Sequence, residues 1–347
     1  MRLAYDSRPA HRSHGIGRYA GSLLEGLRRA GRGEIVESRD PRAGDVFHAP
    51  WIDGAPLRPS LPTVVTLHDL VPLKRPGEYL RFGLRFKLRY LAVRRATRVI
   101  VPTRAVADEA MRALGIPADR IVPIPEAPAQ VFWPRSDDEV RAVRERFTLP
   151  DRYLLWVGSL RTPDPRKRVA ALARTRRSLP LVLVGTAGHW ARELPDVHLT
   201  GAVSDDELAA IYTGANALVF PSDEEGFGLP PLEALACGTP VAACDVPALR
   251  EILAGRVTLS DVRDLETLVG NAEALSRPAP APPAWTWDDV ASATWNVYEQ
   301  ALSAASPVCV TRGRRAPHSG ARSPNGGART ADAGARTADV DDRTRRA

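Results

Sequence analysis

Residues 217–241 read Ala217-Leu218-Val219-Phe220-Pro221-Ser222-Asp223-Glu224-Glu225-Gly226-Phe227-Gly228-Leu229-Pro230-Pro231-Leu232-Glu233-Ala234-Leu235-Ala236-Cys237-Gly238-Thr239-Pro240-Val241. The apolar run 217–220, closed by Pro-Ser-Asp, has the form of a buried strand, and residues 240–244 have it again. Between them, Pro230 or Pro231 suits the first turn of a helix, where no amide donor is needed, and Gly238 suits the left-handed position just past its end. Gly226 and Gly228 would let the backbone ahead of that helix approach a ligand closely. The helix end itself presents free N–H groups and the positive end of a dipole, a site for an anion. Glu225 and Glu233 add two carboxylates, which repel a bare phosphate but accept from hydroxyls. A nucleotide-sugar carries both diphosphate and polyol. Solvated acids on a plain strand–loop–helix unit are the other reading of the same residues.

The stretch resembles the donor-site signature of the family 4 glycosyltransferases, retaining enzymes of the GT-B fold. In that signature two glutamates with seven residues between them frame a Phe-Gly-Leu-Pro segment. The glycines, the prolines and the following Cys-Gly-Thr-Pro-Val agree as well. The resemblance implies an α/β protein of two doubly wound, Rossmann-like domains facing a cleft. It also implies Glu225 on the transferred sugar, Glu233 on the nucleotide ribose, and Phe227, Gly228 and Leu229 against the donor.

A chain of 347 residues is long enough for two core-bearing domains. No run approaches the roughly 18–20 apolar residues of a membrane span, and the opening residues lack the form of a signal peptide, so a cytoplasmic location is expected. Cys237, Cys244 and Cys309 have neither disulfide-frame nor metal-site spacing, and the first two read as small core residues. The net charge of +7 is unevenly spread: residues 306–347 hold nine Arg and four Asp, a surplus of five, which leaves the rest of the chain nearly neutral. Specific nucleic-acid binding is therefore not expected, although the basic tail would permit a weak, salt-sensitive form. Lysine stands only at Lys74, Lys87 and Lys167 in an arginine-rich chain, which makes each lysine the more informative cation.

In chain order, a short strand at 1–6 leads into a loop holding Gly15 and Gly17, then an amphipathic helix through Leu23, Leu24 and Leu27. A third glycine at the dinucleotide-fingerprint position is missing, since Gly21 falls one residue late, and this argues against a dehydrogenase. The resemblance gives a Gly-x-Gly-Arg-Tyr loop there, facing donor phosphates and acceptor; a tight turn is the plainer reading. Strands at 46–49 and 63–67 follow, and the second runs straight into His68-Asp69. A strand's carboxyl end is the edge at which open α/β sheets bind ligands, and the resembled Thr-x-His-Asp-Leu-x-Pro segment puts His68 near the donor sugar. His48, at a similar strand end, reads equally as a satisfied core histidine. Residues 80–98 interleave Arg81, Arg85 and Arg89 with Leu84, Leu88 and Leu91. Such a helix could dock on an anionic membrane surface or could simply be a surface helix with its leucines inward.

The expected organisation is an acceptor-side domain at 1–130, a connection at 131–150, a donor-binding domain at 151–285, a helix at 286–305 that crosses back, and a disordered basic tail at 306–347. In the second domain a strand ending in Gly158 leads into the cation-dense loop 159–168. Fixed cations over a diphosphate stabilise the charge that grows as the leaving group departs. The resemblance assigns that to Lys167 and Arg166, with Arg161 an alternative because the loop is long. The function expected is transfer of a hexosyl group, mannose-like or other, from a nucleotide diphosphate-sugar to a glycan or lipid-linked acceptor, with retention of configuration and with no cofactor or metal. A sugar-nucleotide isomerase or epimerase, or a silent nucleotide-sugar-binding protein, would share the donor site.

Overall fold

The computed structural model describes residues 1–11, 15–75, 77 and 83–305, apart from the side chains of 83–86. The expected basic tail, Arg81 and the side chain of Arg85 in the basic row lie outside the described residues.

The first half supplies strands β1 (Arg2–Tyr5), β2 (Glu34–Glu37), β3 (Val46–Ala49), β4 (Thr63–Thr66), β5 (Arg98–Val101) and β6 (Ile121–Pro123), a parallel sheet in the order β2-β1-β3-β4-β5-β6. The second half supplies β7 (Leu154–Val157), β8 (Leu181–Val184), β9 (Val197–Gly201), β10 (Ala217–Phe220), β11 (Val241–Cys244) and β12 (Thr258–Ser260), parallel in the order β12-β11-β10-β7-β8-β9. Parallel neighbours need crossovers, and helices supply most of them; the helices are α1 (Ile16–Ala30), α2 (Val71–Lys74), α3 (Gly83–Arg95), α4 (Arg104–Leu114), α5 (Asp137–Phe147), which joins the two sheets, α6 (Val169–Arg174), α7 (His189–Arg192), α8 (Asp205–Gly214), α9 (Leu229–Ala236), α10 (Pro247–Leu253), and α11 (Leu265–Ala274) and α12 (Trp287–Ala305), which follow the last strand. Helices on both faces explain why β3, β4, β7, β8, β10 and β11 are buried at every position and read as continuous apolar runs.

Both sheets are doubly wound, as expected, but three elements escape the pattern of the sequence. β2 has charged ends around Ile35-Val36, and β12 and α11 lie where the alternation fades. The two strands are sheet edges, where one flank faces solvent and the apolar signal is weak, and α11 packs across β10, β11 and β12. Local signals elsewhere hold. Ser136 and Ser204 each close a reciprocal cap with Glu139 and Glu207, and Gly238 takes φ +70° after α9, which starts with its prolines in the first turn.

The last helix, α12, lies against α1 of the first sheet. Gly26 makes room for it, since a Cβ there would sit 2.8 Å from the Trp287 carbonyl oxygen, and the Trp295 indole donates to the Leu27 carbonyl at 3.3 Å. α5 packs beside α8 and its Val143 joins the second lobe's core.

Candidate active site

In the second sheet the strand order reverses between β7 and β10. Ligands of doubly wound sheets bind outside the carboxyl ends of the strands at such a switch point, because the two adjoining loops diverge to opposite faces and leave a crevice. The loop after β7 carries Arg166 and Lys167, and the loop after β10 carries Glu225. The Asp223 amide donates to the Arg166 carbonyl at 3.0 Å, tying the loops together. Above them lies a cavity of about 400 Å³ that residues of both sheets line, among them Gly15, Arg18, His68, Asp69, Glu126, Arg166, Lys167, Glu225, Phe227, Gly228, Leu229 and Glu233.

Most residues singled out from the sequence therefore converge. Gly17 and Arg161 do not. Gly17 is buried in the first turn of α1, whereas Gly15, with φ +57° and open space where a Cβ would stand, faces the cavity. Arg161 is exposed and does not line the cavity, whereas Arg166 does. Gly226 has a second use beside lining the cavity. A Cβ there would fall 1.8 Å from the His68 carbonyl oxygen, so this glycine also permits close contact between the lobes, and its own carbonyl accepts from Thr103 Oγ1 at 3.1 Å. Gly228 is required by φ +106° and by Leu249, 2.5 Å from a hypothetical Cβ. Phe227 and Leu229 line the cavity and are also buried in the second core.

The cations arrive with counter-charges. Lys167 Nζ donates to Glu225 and stands 5.1 Å from the Phe220 ring centroid. Arg166 binds Asp164 at 3.0 Å and reaches across to Asp69 of the first lobe at 3.1 Å. Burial works against the Arg166 charge, but Asp69, Glu225 and Asp164 outweigh it and hold its pKa above the ordinary value.

Glu233 is buried, its side chain 2% exposed. It accepts from Tyr212 Oη at 3.0 Å and pairs with Arg18, whose guanidinium also binds Asp205 at 2.5 Å and lies 4.8 Å from the Phe132 ring centroid. Arg18 belongs to the first turn of α1, so this pair spans the lobes. Sequence reasoning passed over it because one arginine among many in a basic chain carries no local mark. The contact of α4 with the second lobe is similar in kind: Glu251 accepts from the Arg104 and Ala105 amides at 2.8 and 3.0 Å.

His68 sits at the end of β4 with Nδ1 3.1 Å from a Glu126 carboxylate oxygen, Nε2 3.0 Å from the Pro50 carbonyl oxygen, and its ring edge-to-face with Tyr19. Burial pushes its pKa down, but the hydrogen bond and charge of Glu126, the Pro50 carbonyl and Asp69 together raise it above the ordinary value. Glu126 was the other omission; its one signal is an acidic residue just past the carboxyl end of β6. His48 is the satisfied core histidine of the two readings. It is buried, bonded to Tyr298 Oη at 2.7 Å and Thr66 Oγ1 at 2.9 Å, and pushed down to about 3 by burial. Cys237 and Cys244 are buried free thiols, raised by burial to about 12 and about 11. Among the described residues no group of three or more His, Cys, Asp or Glu side chains is placed to hold a metal ion, and no helix is long and apolar enough to cross a membrane.

Residues 18–127 match the family described as Glycosyltransferase Family 4, and residues 151–277 the one described as Glycosyl transferases group 1. A D-inositol 3-phosphate glycosyltransferase of Xylanimonas cellulosilytica is 30% identical over 306 residues, covering 74% of this chain and 72% of the relative. The chain is a family 4 glycosyltransferase. This glycosyltransferase is also 27% identical over 231 residues to the serotype-specific mannosyltransferase WbdA of Escherichia coli, covering 59% of its own length and 28% of the relative's. The structure of HepE from Anabaena, solved with UDP-glucose, superposes with a TM-score of 0.59 at 15% identity, covering 87% of this glycosyltransferase and 98% of HepE. That likeness concerns the GT-B fold alone.

Proposed function

We propose that this glycosyltransferase moves a hexosyl group, mannose-like, from a nucleotide diphosphate-sugar to a glycan or lipid-linked acceptor with retention of configuration. The observation that carries the reading is the meeting of Lys167, Glu225, Glu233 and the amino end of α9 in one cavity at the switch point of the second sheet. The Gly228 and Leu229 amides at that helix end, where Pro230 and Pro231 carry no N–H, together with Lys167 and Arg166 suit a diphosphate whose charge grows as the sugar leaves. Glu225 suits the sugar hydroxyls and Glu233 the ribose hydroxyls, each retaining lone pairs beyond those its protein partners use. The mannosyltransferase relative favours a hexose donor. On this reading a glycan-building acceptor approaches from the first lobe, whose Gly15, His68 and Glu126 form the facing wall.

A panel of nucleotide-sugars and free nucleotides in a thermal-shift titration selects the donor, since a ligand at 100 times its Kd stabilises by about 2.7 kcal/mol. With the donor known, Glu225→Gln should weaken the nucleotide-sugar but not the free nucleotide, and Glu233→Gln should weaken both equally. Equal loss of free-nucleotide affinity in the two variants would refute the assigned donor orientation. Peripheral attachment to an anionic membrane, carried by the basic residues around α3, is part of the same proposal. Salt-sensitive sedimentation with anionic vesicles, lost on Arg81→Gln, Arg85→Gln and Arg89→Gln together, is the expected result, and no sedimentation of the parent chain removes the membrane role.

A further inference from the structure

We propose that Glu126 is a positioning residue that holds the His68 ring doubly protonated in the cavity wall, so that the first lobe presents a fixed cation to the reacting group. The inference rests on the donor-site reading above for what the cation faces, but not for the state of the ring.

That state follows from the two partners. Nδ1 is 3.1 Å from a Glu126 carboxylate oxygen and Nε2 is 3.0 Å from the Pro50 carbonyl oxygen. A backbone carbonyl only accepts, and so does an ionised carboxylate. Each ring nitrogen must then supply the proton of its own bond; a neutral imidazole has one N–H, and an imidazolium has two. The groups around the ring agree. Asp69, next in the chain, adds negative charge from the same segment, although it is shared with Arg166 of the other lobe. From α1 comes Tyr19, whose ring meets the imidazole edge-on with centroids 4.6 Å apart and whose hydroxyl bonds Thr66 instead. From β3 comes His48, which burial keeps neutral.

The dyad is braced on three sides. Pro50 follows β3, Glu126 follows β6, and the Glu126 carbonyl accepts from the Trp285 indole at 2.5 Å on the segment entering α12. Two committed nitrogens leave His68 no lone pair for a proton relay, so its contribution is charge and orientation. The sign follows: the His68 pKa is raised, so the imidazolium is present below it and is lost as pH rises through it. Turnover should fall along that basic limb. Glu126→Gln keeps the shape and removes the charge, so the limb should move to lower pH by a unit or more, about a tenfold loss of imidazolium at a given pH above it. Glu126→Asp should restore part of the shift.

The test uses the full chain with 15N-labelled histidine, the His68 signals being assigned with His68→Gln, and needs neither donor nor acceptor. Both His68 nitrogens should report as protonated at pH 7 in the parent protein and titrate above the ordinary value of about 6.5; in Glu126→Gln they should titrate lower. A neutral single tautomer in the parent at pH 7 overturns the proposal without any variant having to fold, as does a Glu126→Gln titration that coincides with the parent's. A second arm measures initial rates against pH with the donor found by thermal shift. If the ring titrates as stated but the rate shows no matching basic limb, the cation does not act at the reacting group. That outcome is separate from failure of the donor reading, which the thermal-shift panel judges without His68.

Discussion

The ion pair between Arg18 and Glu233 offers a sharp test of how the lobes meet. Both side chains are nearly inaccessible, 8% and 2% exposed, and they come from α1 and α9 on different sheets. Removing one partner of a buried pair strands the other, and costs about 3–5 kcal/mol when nothing compensates. Here two features reduce that figure. Glutamine at 233 can still accept from Tyr212 and from the guanidinium, and Arg18 retains Asp205, whose side chain is 43% exposed and so attracts weakly. What disappears in Glu233→Gln is the charge assistance, about 1–1.5 kcal/mol, the difference between a hydrogen bond to a charged group and a neutral one. The assay is a double-mutant cycle over Arg18→Gln, Glu233→Gln and their combination, read by urea unfolding because urea leaves ionic strength unchanged. A coupling above about 1 kcal/mol is expected, since residues in direct contact do not add. If the single effects sum to the double within about 0.5 kcal/mol, the two residues do not meet in solution and the wall of the cavity is not built as described.

Lys167→Ala should lower both donor affinity and turnover, each by about tenfold or more, because the charge-assisted bond it can offer a diphosphate is worth roughly 1.5–3 kcal/mol and strengthens as charge develops; unchanged turnover at saturating donor would remove it from the chemistry. Gly226→Ala should destabilise the protein and abolish transfer together, since the added Cβ lands 1.8 Å from the His68 carbonyl, and a variant that melts like its parent would show that the lobes are not in contact there. Asp6 is buried and, although burial alone would raise its pKa, the bonds from Arg8 and Trp51 lower it. Its contribution to stability is therefore present above the unfolded-state value of about 3.9 and lost as pH falls below it. The acid-unfolding profile of Asp6→Asn, compared with the parent, should flatten in that range; superimposable profiles would dismiss the assignment.

The donor-side loops were legible in the sequence because their determinants are local. Pro230, Pro231, Gly228 and Gly238 act within one turn of α9, and the apolar runs flanking them state two buried parallel strands outright. That places Glu225 and Glu233 before any coordinate is known, and Lys167 likewise stands a fixed distance past the end of β7. The second use of Gly226 was not legible, because what it avoids is a carbonyl from the other lobe rather than anything near it in the chain.

The residues that sequence reasoning missed share one property. Glu126 meets His68 across 58 positions and Arg18 meets Glu233 across 215, so neither pairing has a period, a spacing or a neighbouring cap to announce it. The same holds for the fate of the two histidines. His48 and His68 each stand at or near the end of a buried parallel strand and look alike as text, yet burial drives the pKa of one ring down while a carboxylate raises that of the other above its ordinary value. By itself the chain determined two doubly wound sheets and which residues stand on the loops at the crevice of the second, since backbone conformation and strand burial are set by adjacent residues. Only the tertiary structure decided the charge state of the opposite wall, because desolvation and ion pairing depend on what other elements bring to within about 3 Å.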